Sequence, residues 1–202
     1  MKKILVINTK YKYFGGEDAN IVEELDILRN NYDVKYLEFN NSGRLNFYDY
    51  LSFLTNSNLN SNKLLNETLK NFKPDIAYIH NLWFRAGLKI FDILLKNKIK
   101  VVIKIHNYRF DCTKFYLSKN HLNDDEFCLK CGYTSKYRYS FNRYFKESYL
   151  KSLTAVRFSK TFINKLSKYS MNVCVLNNFQ KNFLNNKIKN ISIKRLPNPI
   201  QI

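Results

Sequence analysis

Glycine and proline are scarce in this chain, at 5 and 3 of 202 residues. So little punctuation disfavours a loop-rich β-sandwich and suits long helices with buried strands. Acidic residues are also few, 16 against 34 Lys and Arg, for a formal net charge of +18. Either a compositional bias toward Lys and Asn or an anionic partner (a membrane face or nucleic acid) accounts for that excess. No run approaches the ~20 apolar residues that a membrane-spanning helix needs. Met1-Lys2-Lys3 followed by Ile4 to Ile7 opens like a signal peptide, but Asn8, Thr9 and Lys10 break the apolar run too early. A soluble cytoplasmic protein is expected, with attachment to the inner face of a membrane as its one membrane role. Cysteine occurs at four positions: Cys112, Cys128 and Cys131 in one segment, and Cys174 in an apolar run. In a cytoplasmic chain this argues against a disulfide framework and leaves metal binding or plain burial.

What the chain does contain is apolar surface: 45% hydrophobic and 16% aromatic residues, enough for a real core. Ile4 to Ile7, Val34 to Leu37, Ile76 to Ile79, Val101 to Ile105, Val173 to Leu176 and Ile191 to Leu196 read as strands. Between them, Ala19 to Leu28, Leu64 to Phe72, Leu88 to Leu94 and Phe179 to Leu184 show helical spacing, with a short helix around Tyr48 to Leu54. Pro74 must stop the helix before it. Asn107 to Tyr133 breaks the rhythm, and a long basic and aromatic helical stretch runs from Lys136 to Lys168. This alternation predicts parallel βαβ units in one doubly wound, Rossmann-like α/β domain.

Open parallel sheets bind ligands outside the carboxyl ends of their strands. Three polar features fall there: the loop Tyr11 to Asp18, His80-Asn81, and His106-Asn107-Tyr108. One histidine after a buried strand is ordinary packing; two on one rim point to a site. Gly15-Gly16 lacks the third glycine of a dinucleotide fingerprint. Placed between a strand and a helix, the pair reads equally as a tight turn or as a close approach to phosphate at a helix N-terminus.

The motifs Phe14-Gly15-Gly16-Glu17, Pro74-Asp75-Ile76 leading to His80-Asn81, His106-Asn107-Tyr108, Asn178-Phe179-Gln180-Lys181 and Leu196-Pro197-Asn198-Pro199-Ile200 occur in that order. Together they resemble the N-terminal, acceptor-side domain of family 4 retaining glycosyltransferases, which have the GT-B fold, over essentially the whole chain. The resemblance implies transfer from a nucleotide sugar to a lipid-linked or polysaccharide acceptor, as in polysaccharide biosynthesis. It implies that Gly15, Gly16 and Glu17 lie against the donor diphosphate, that His106 contacts the donor sugar as the catalytic residue, and that His80, Asn81, Asn107 and Tyr108 line the acceptor cleft. No cofactor beyond the nucleotide-sugar co-substrate is required. The family carries Asp where this chain has Asn107. It also has a C-terminal donor-binding domain, absent from these 202 residues; without it the chain binds acceptor at best and transfers sugar poorly or not at all.

Cys128 and Cys131 form one Cys-x-x-Cys pair, and with Cys112 they supply three of the four ligands of a structural zinc site. A histidine would have to complete it; buried thiols are the competing reading. A nucleic-acid-binding module is the alternative function, drawing on the net charge and on Lys136, Arg138, Arg143 and Lys146 among aromatics. It leaves the strand-end histidines unexplained. The same basic stretch equally suits an anionic membrane surface. A nucleotide-dependent oxidoreductase lacks the glycine fingerprint, and Glu38 is its only acidic candidate after the second strand.

Overall fold

A computed structural model describes residues 1–11, 15–42, 46–108, 110 and 149–199. The chain forms two compact units, Met1–His106 with Leu166–Ile202, and Asn107–Lys165. The first unit holds six strands: β1 Lys3–Lys10, β2 Asp33–Asn40, β3 Ile76–Ile79, β4 Lys100–Ile105, β5 Asn172–Val175 and β6 Ser192–Arg195. They pair in the order β2-β1-β3-β4-β5-β6, and every pairing is parallel. The helices are α1 Gly16–Arg29, α2 Phe47–Thr55, α3 Leu59–Phe72, α4 Lys89–Lys96, α5 Tyr149–Lys168 and α6 Asn178–Lys187. This is the doubly wound, Rossmann-like arrangement that the strand–helix alternation predicts.

The strand order reverses between β1 and β3. The connection from β1 to β2 runs one way across the sheet and the later ones run the other way. Right-handed crossovers therefore put α1 on one face and α3, α4 and α6 on the opposite face. On the α1 face Ile4, Val6, Ile21, Leu25 and Tyr78 form a buried cluster, with Leu28, Val34, Tyr36 and Val102 packed against it. Leu5, Ile7, Ala77 and Ile79 are buried as well, so β1 and β3 read as continuous apolar runs because both faces are covered.

Local chemistry sets the helix ends. Asn46 caps α2 by accepting from the Asp49 amide at 2.9 Å, while Asp49 accepts from the Asn46 amide at 3.1 Å. Asn58 caps α3 by accepting from the Ser61 amide at 3.1 Å, which starts that helix five residues before the predicted Leu64. Lys73, left-handed at φ 48°, ends it just ahead of Pro74. Asn177 caps α6, accepting from the Gln180 amide at 2.8 Å. Of the predicted stretch Lys136 to Lys168, the part Tyr149–Lys168 is helix α5, and Lys136, Arg138, Arg143 and Lys146 lie outside the described residues. Among the described residues, no helix is long and apolar enough to cross a membrane.

Candidate active site

The strand order reverses between β1 and β3, and folds of this kind bind ligands at the carboxyl edge beside such a reversal. Gly15 stands five positions past the end of β1, His80 follows β3 directly, and His106 follows β4 directly. The predicted rim therefore exists, and its two histidines meet. His80 Nδ1 and His106 Nε2 lie 2.9 Å apart, with the rings stacked at a centroid distance of 5.2 Å.

The two rings differ in access. The His80 side chain is fully buried, at 0% exposure, whereas His106 is half-buried. Burial, followed by the nearby His106 and Lys104, pushes the His80 pKa well below the usual imidazole range. Burial, followed by Lys104, lowers His106 to about 4. Both rings are therefore neutral at pH 7.

Behind the histidines lies an ionic cluster that the sequence reading treated only as helix and strand. Lys104 on β4, with no exposed surface, donates from Nζ to Glu24 Oε1 on α1. The Tyr78 hydroxyl donates to Glu24 Oε2 at 2.8 Å, and His80 Nε2 stands 3.7 Å from that same oxygen. Burial, followed by the Glu24 charge, drives the Tyr78 pKa far upward. The one signal for this cluster in the sequence is a lysine inside the apolar run Val101 to Ile105. Alternation places it on the same face as Val102, towards α1.

The other predicted residues have separate surroundings. Gly15 and Gly16 are exposed, and a Cβ on either would meet open space. No steric demand thus explains the pair. Asp18, buried in the first turn of α1, accepts from the Gly15 amide at 3.1 Å, so a carboxylate already sits at that helix start. Glu17 lies half-buried in the same turn. Asn81 is buried and braces the strand ends, donating to the Thr9 carbonyl at 2.7 Å and accepting from the Trp83 amide at 2.9 Å. Gln180 is also structural: its Oε1 accepts from the Leu176 amide at 3.0 Å and fixes the exit of β5. Glu38, the sole acidic candidate for a dinucleotide ribose, accepts from Tyr36 at 3.1 Å.

In the second unit Asn107 and Tyr108 are half-buried, and burial raises the Tyr108 pKa. Tyr108 packs against Phe110 at a ring separation of 6.2 Å. Cys112, Cys128 and Cys131 lie outside the described residues. Among the described residues, no cluster of three or more His, Cys, Asp or Glu could hold a metal ion. An apolar groove lined by Ile4, Leu28, Ile76, Val102, Leu196 and Pro197 lies on the α1 face. No histidine lines it, but Glu24 and Tyr78 of the ionic cluster do.

No protein-family model matches the chain, and no curated protein matches it. Solved structures do. UGT2 of Phytolacca americana, complexed with UDP-2fluoro-glucose and pterostilbene, aligns with TM-score 0.54 at 9% identity, covering 100% of this chain and 53% of that one. A UDP-glucosyltransferase of Polygonum tinctorium capable of glucosylating indoxyl, in complex with 3,4-dichloroaniline, aligns with TM-score 0.50 at 12% identity, covering 100% and 52%. The chain thus shares the fold of a Rossmann-like half of these structures, and it spans about half their length.

Proposed function

We propose that this chain is the acceptor-side half of a retaining, family 4-like glycosyltransferase, transferring sugar from a nucleotide sugar to a lipid-linked or polysaccharide acceptor. The observation that carries the reading is the contact of His80 and His106 at the carboxyl edge beside the β1/β3 reversal. The fold likeness to UDP-sugar-dependent enzymes supports it. In this proposal His106 is the residue that meets the sugar, and Gly15 and Gly16 let the acceptor and diphosphate come close to the start of α1.

A histidine lowered to about 4 is a poor general base at neutral pH, where the best base titrates near the working pH. That suits retaining chemistry, which rests on positioning and on charge stabilisation at the leaving diphosphate. A second domain supplies most of the donor contacts. The test pairs this chain with such a domain and screens nucleotide sugars for turnover. His106→Ala should then lower turnover at least ~10-fold, as expected when ~1.4 kcal/mol of transition-state contact is lost, while stability falls by no more than the loss of its one hydrogen bond to His80, about 1–3 kcal/mol. A His106→Ala protein that melts early but keeps its specific activity would show that His106 is structural only.

A further inference from the structure

The transferase reading uses His106 but leaves the buried groups behind it without a task. Strand register arranges them as a row. Asn8 pairs with Glu38, and Lys104 pairs with Cys174, which pairs with Lys194. Continuing the β1–β3 and β3–β4 registers by one pleat sets His80 between Asn8 and Lys104. Side chains two apart share a face, so these residues form a polar band across the α1 face, one step from the carboxyl edge. Glu24 reaches down onto that band from α1.

The histidine contact admits two neutral proton arrangements, because one nitrogen of the close pair must donate and the other accept. If His80 Nδ1 donates, His80 Nε2 is a bare lone pair facing Glu24 Oε2 at 3.7 Å. Two electron-rich atoms would then oppose each other in a buried site of low dielectric. If instead His80 Nε2 carries the proton, its N–H dipole points at the carboxylate. The separation is too long for a hydrogen bond, but the charge still favours that orientation. Glu24 is an acceptor on both oxygens, taking Lys104 on Oε1 and Tyr78 on Oε2. His80 Nδ1 must then accept, and His106 Nε2 must donate.

We propose that Glu24 and His80 are positioning residues that hold His106 as a neutral imidazole protonated on Nε2, with its Nδ1 lone pair turned to accept a ligand hydroxyl. Among the described residues Nδ1 of His106 has no hydrogen-bond partner, and the residue is half-buried rather than sealed. A bare lone pair attracts an O–H and repels phosphate oxygens. Lys104 offers no phosphate contact either, since Glu24 occupies it. The histidine pair therefore reads a sugar hydroxyl, not the diphosphate. That last step rests on the transferase reading; the proton arrangement does not.

Long-range 1H–15N correlation on the full chain labelled with 15N-histidine tests this, since it separates the two tautomers and the charged form. The chain has only 3 histidines, assigned with His80→Gln and His106→Gln. At pH 7 the Nε2–H form is expected for both His80 and His106. In Glu24→Gln, His106 should relax to a mixture of tautomers, a change that a merely structural role for Glu24 would not produce. An Nδ1–H or doubly protonated His106 in the unmodified protein overturns the proposal, whether or not the Glu24 variant folds. With the chain joined to a donor-binding domain, adding UDP-glucose should move the His106 Nδ1 resonance, and inorganic phosphate should not. The expected tautomers with no response to UDP-glucose would sustain the relay and count against the sugar-binding reading of the cleft.

Discussion

Lys104 donates to Glu24 inside the contact between β4 and α1, across 80 residues of sequence, and neither residue is more than marginally exposed. Burying two charges costs several kcal/mol per ion, which only close pairing and further hydrogen bonds offset. Tyr78 and the Pro197 carbonyl, the latter 3.4 Å from Lys104 Nζ, supply those further bonds. A cluster of this kind is sensitive to losing one partner.

Removing either charge alone should therefore be severe. Lys104→Met and Glu24→Gln are each expected to cost about 3–5 kcal/mol in denaturant unfolding, because each strands a buried partner. The double variant Glu24→Leu with Lys104→Met should recover most of that loss. Additive losses in the double variant would show that the two groups do not act as a pair.

Acid should destabilise the fold through the histidines. His106 is lowered to about 4 in the folded chain and returns to about 6.5 when unfolded. Its contribution is thus complete above pH 6.5 and is lost as pH falls toward 4, because only the unfolded state takes up the proton. Stability should drop by up to about 1.4 kcal/mol per pH unit in that window, and more steeply where His80, also lowered, adds to it. Unfolding curves at several pH values check this; an equal slope in His106→Gln would remove His106 as the cause.

Gly16 separates a turn from a contact surface. A Cβ there meets nothing within 4 Å, and the residue is helical. Gly16→Ala should leave the melting temperature unchanged or slightly higher, since Ala favours helix over Gly. If the loop approaches substrate, turnover in the two-domain enzyme should fall. Full activity in this variant would remove Gly16 from the cleft.

Gly87 carries the opposite expectation. Its φ is +77°, and an added Cβ would sit 3.1 Å from the Asn56 carbonyl oxygen. Left-handed backbone costs a residue with a side chain roughly 1–2 kcal/mol, and the contact with backbone adds to it. Gly87→Ala should lower stability by at least about 1 kcal/mol while leaving ligand binding intact. Thermal melts that match the unmodified chain would show that the Asn56 turn yields.

The sequence by itself determined the strand–helix alternation, the parallel class and the rim. Ile4 to Ile7 and Ile76 to Ile79 read as strands from their short apolar runs, and the polar residues after them fall at the carboxyl edge. Helix starts were less legible: α3 begins at Leu59 because the Asn58 side-chain cap overrides apolar spacing, and periodicity does not register a cap. Only the tertiary structure decided which edge residues touch. His80 and His106 are 26 positions apart, and both looked like cleft-lining groups. Sheet order made β3 and β4 neighbours, which put one ring behind the other and left only His106 partly open. The pairing of Glu24 with Lys104 was hidden for the same reason, although Lys104 stands out inside the apolar run Val101 to Ile105. A charge in a helix and a charge in a strand look ordinary until a crossover lays the helix over the strand, and burial then compels them to pair.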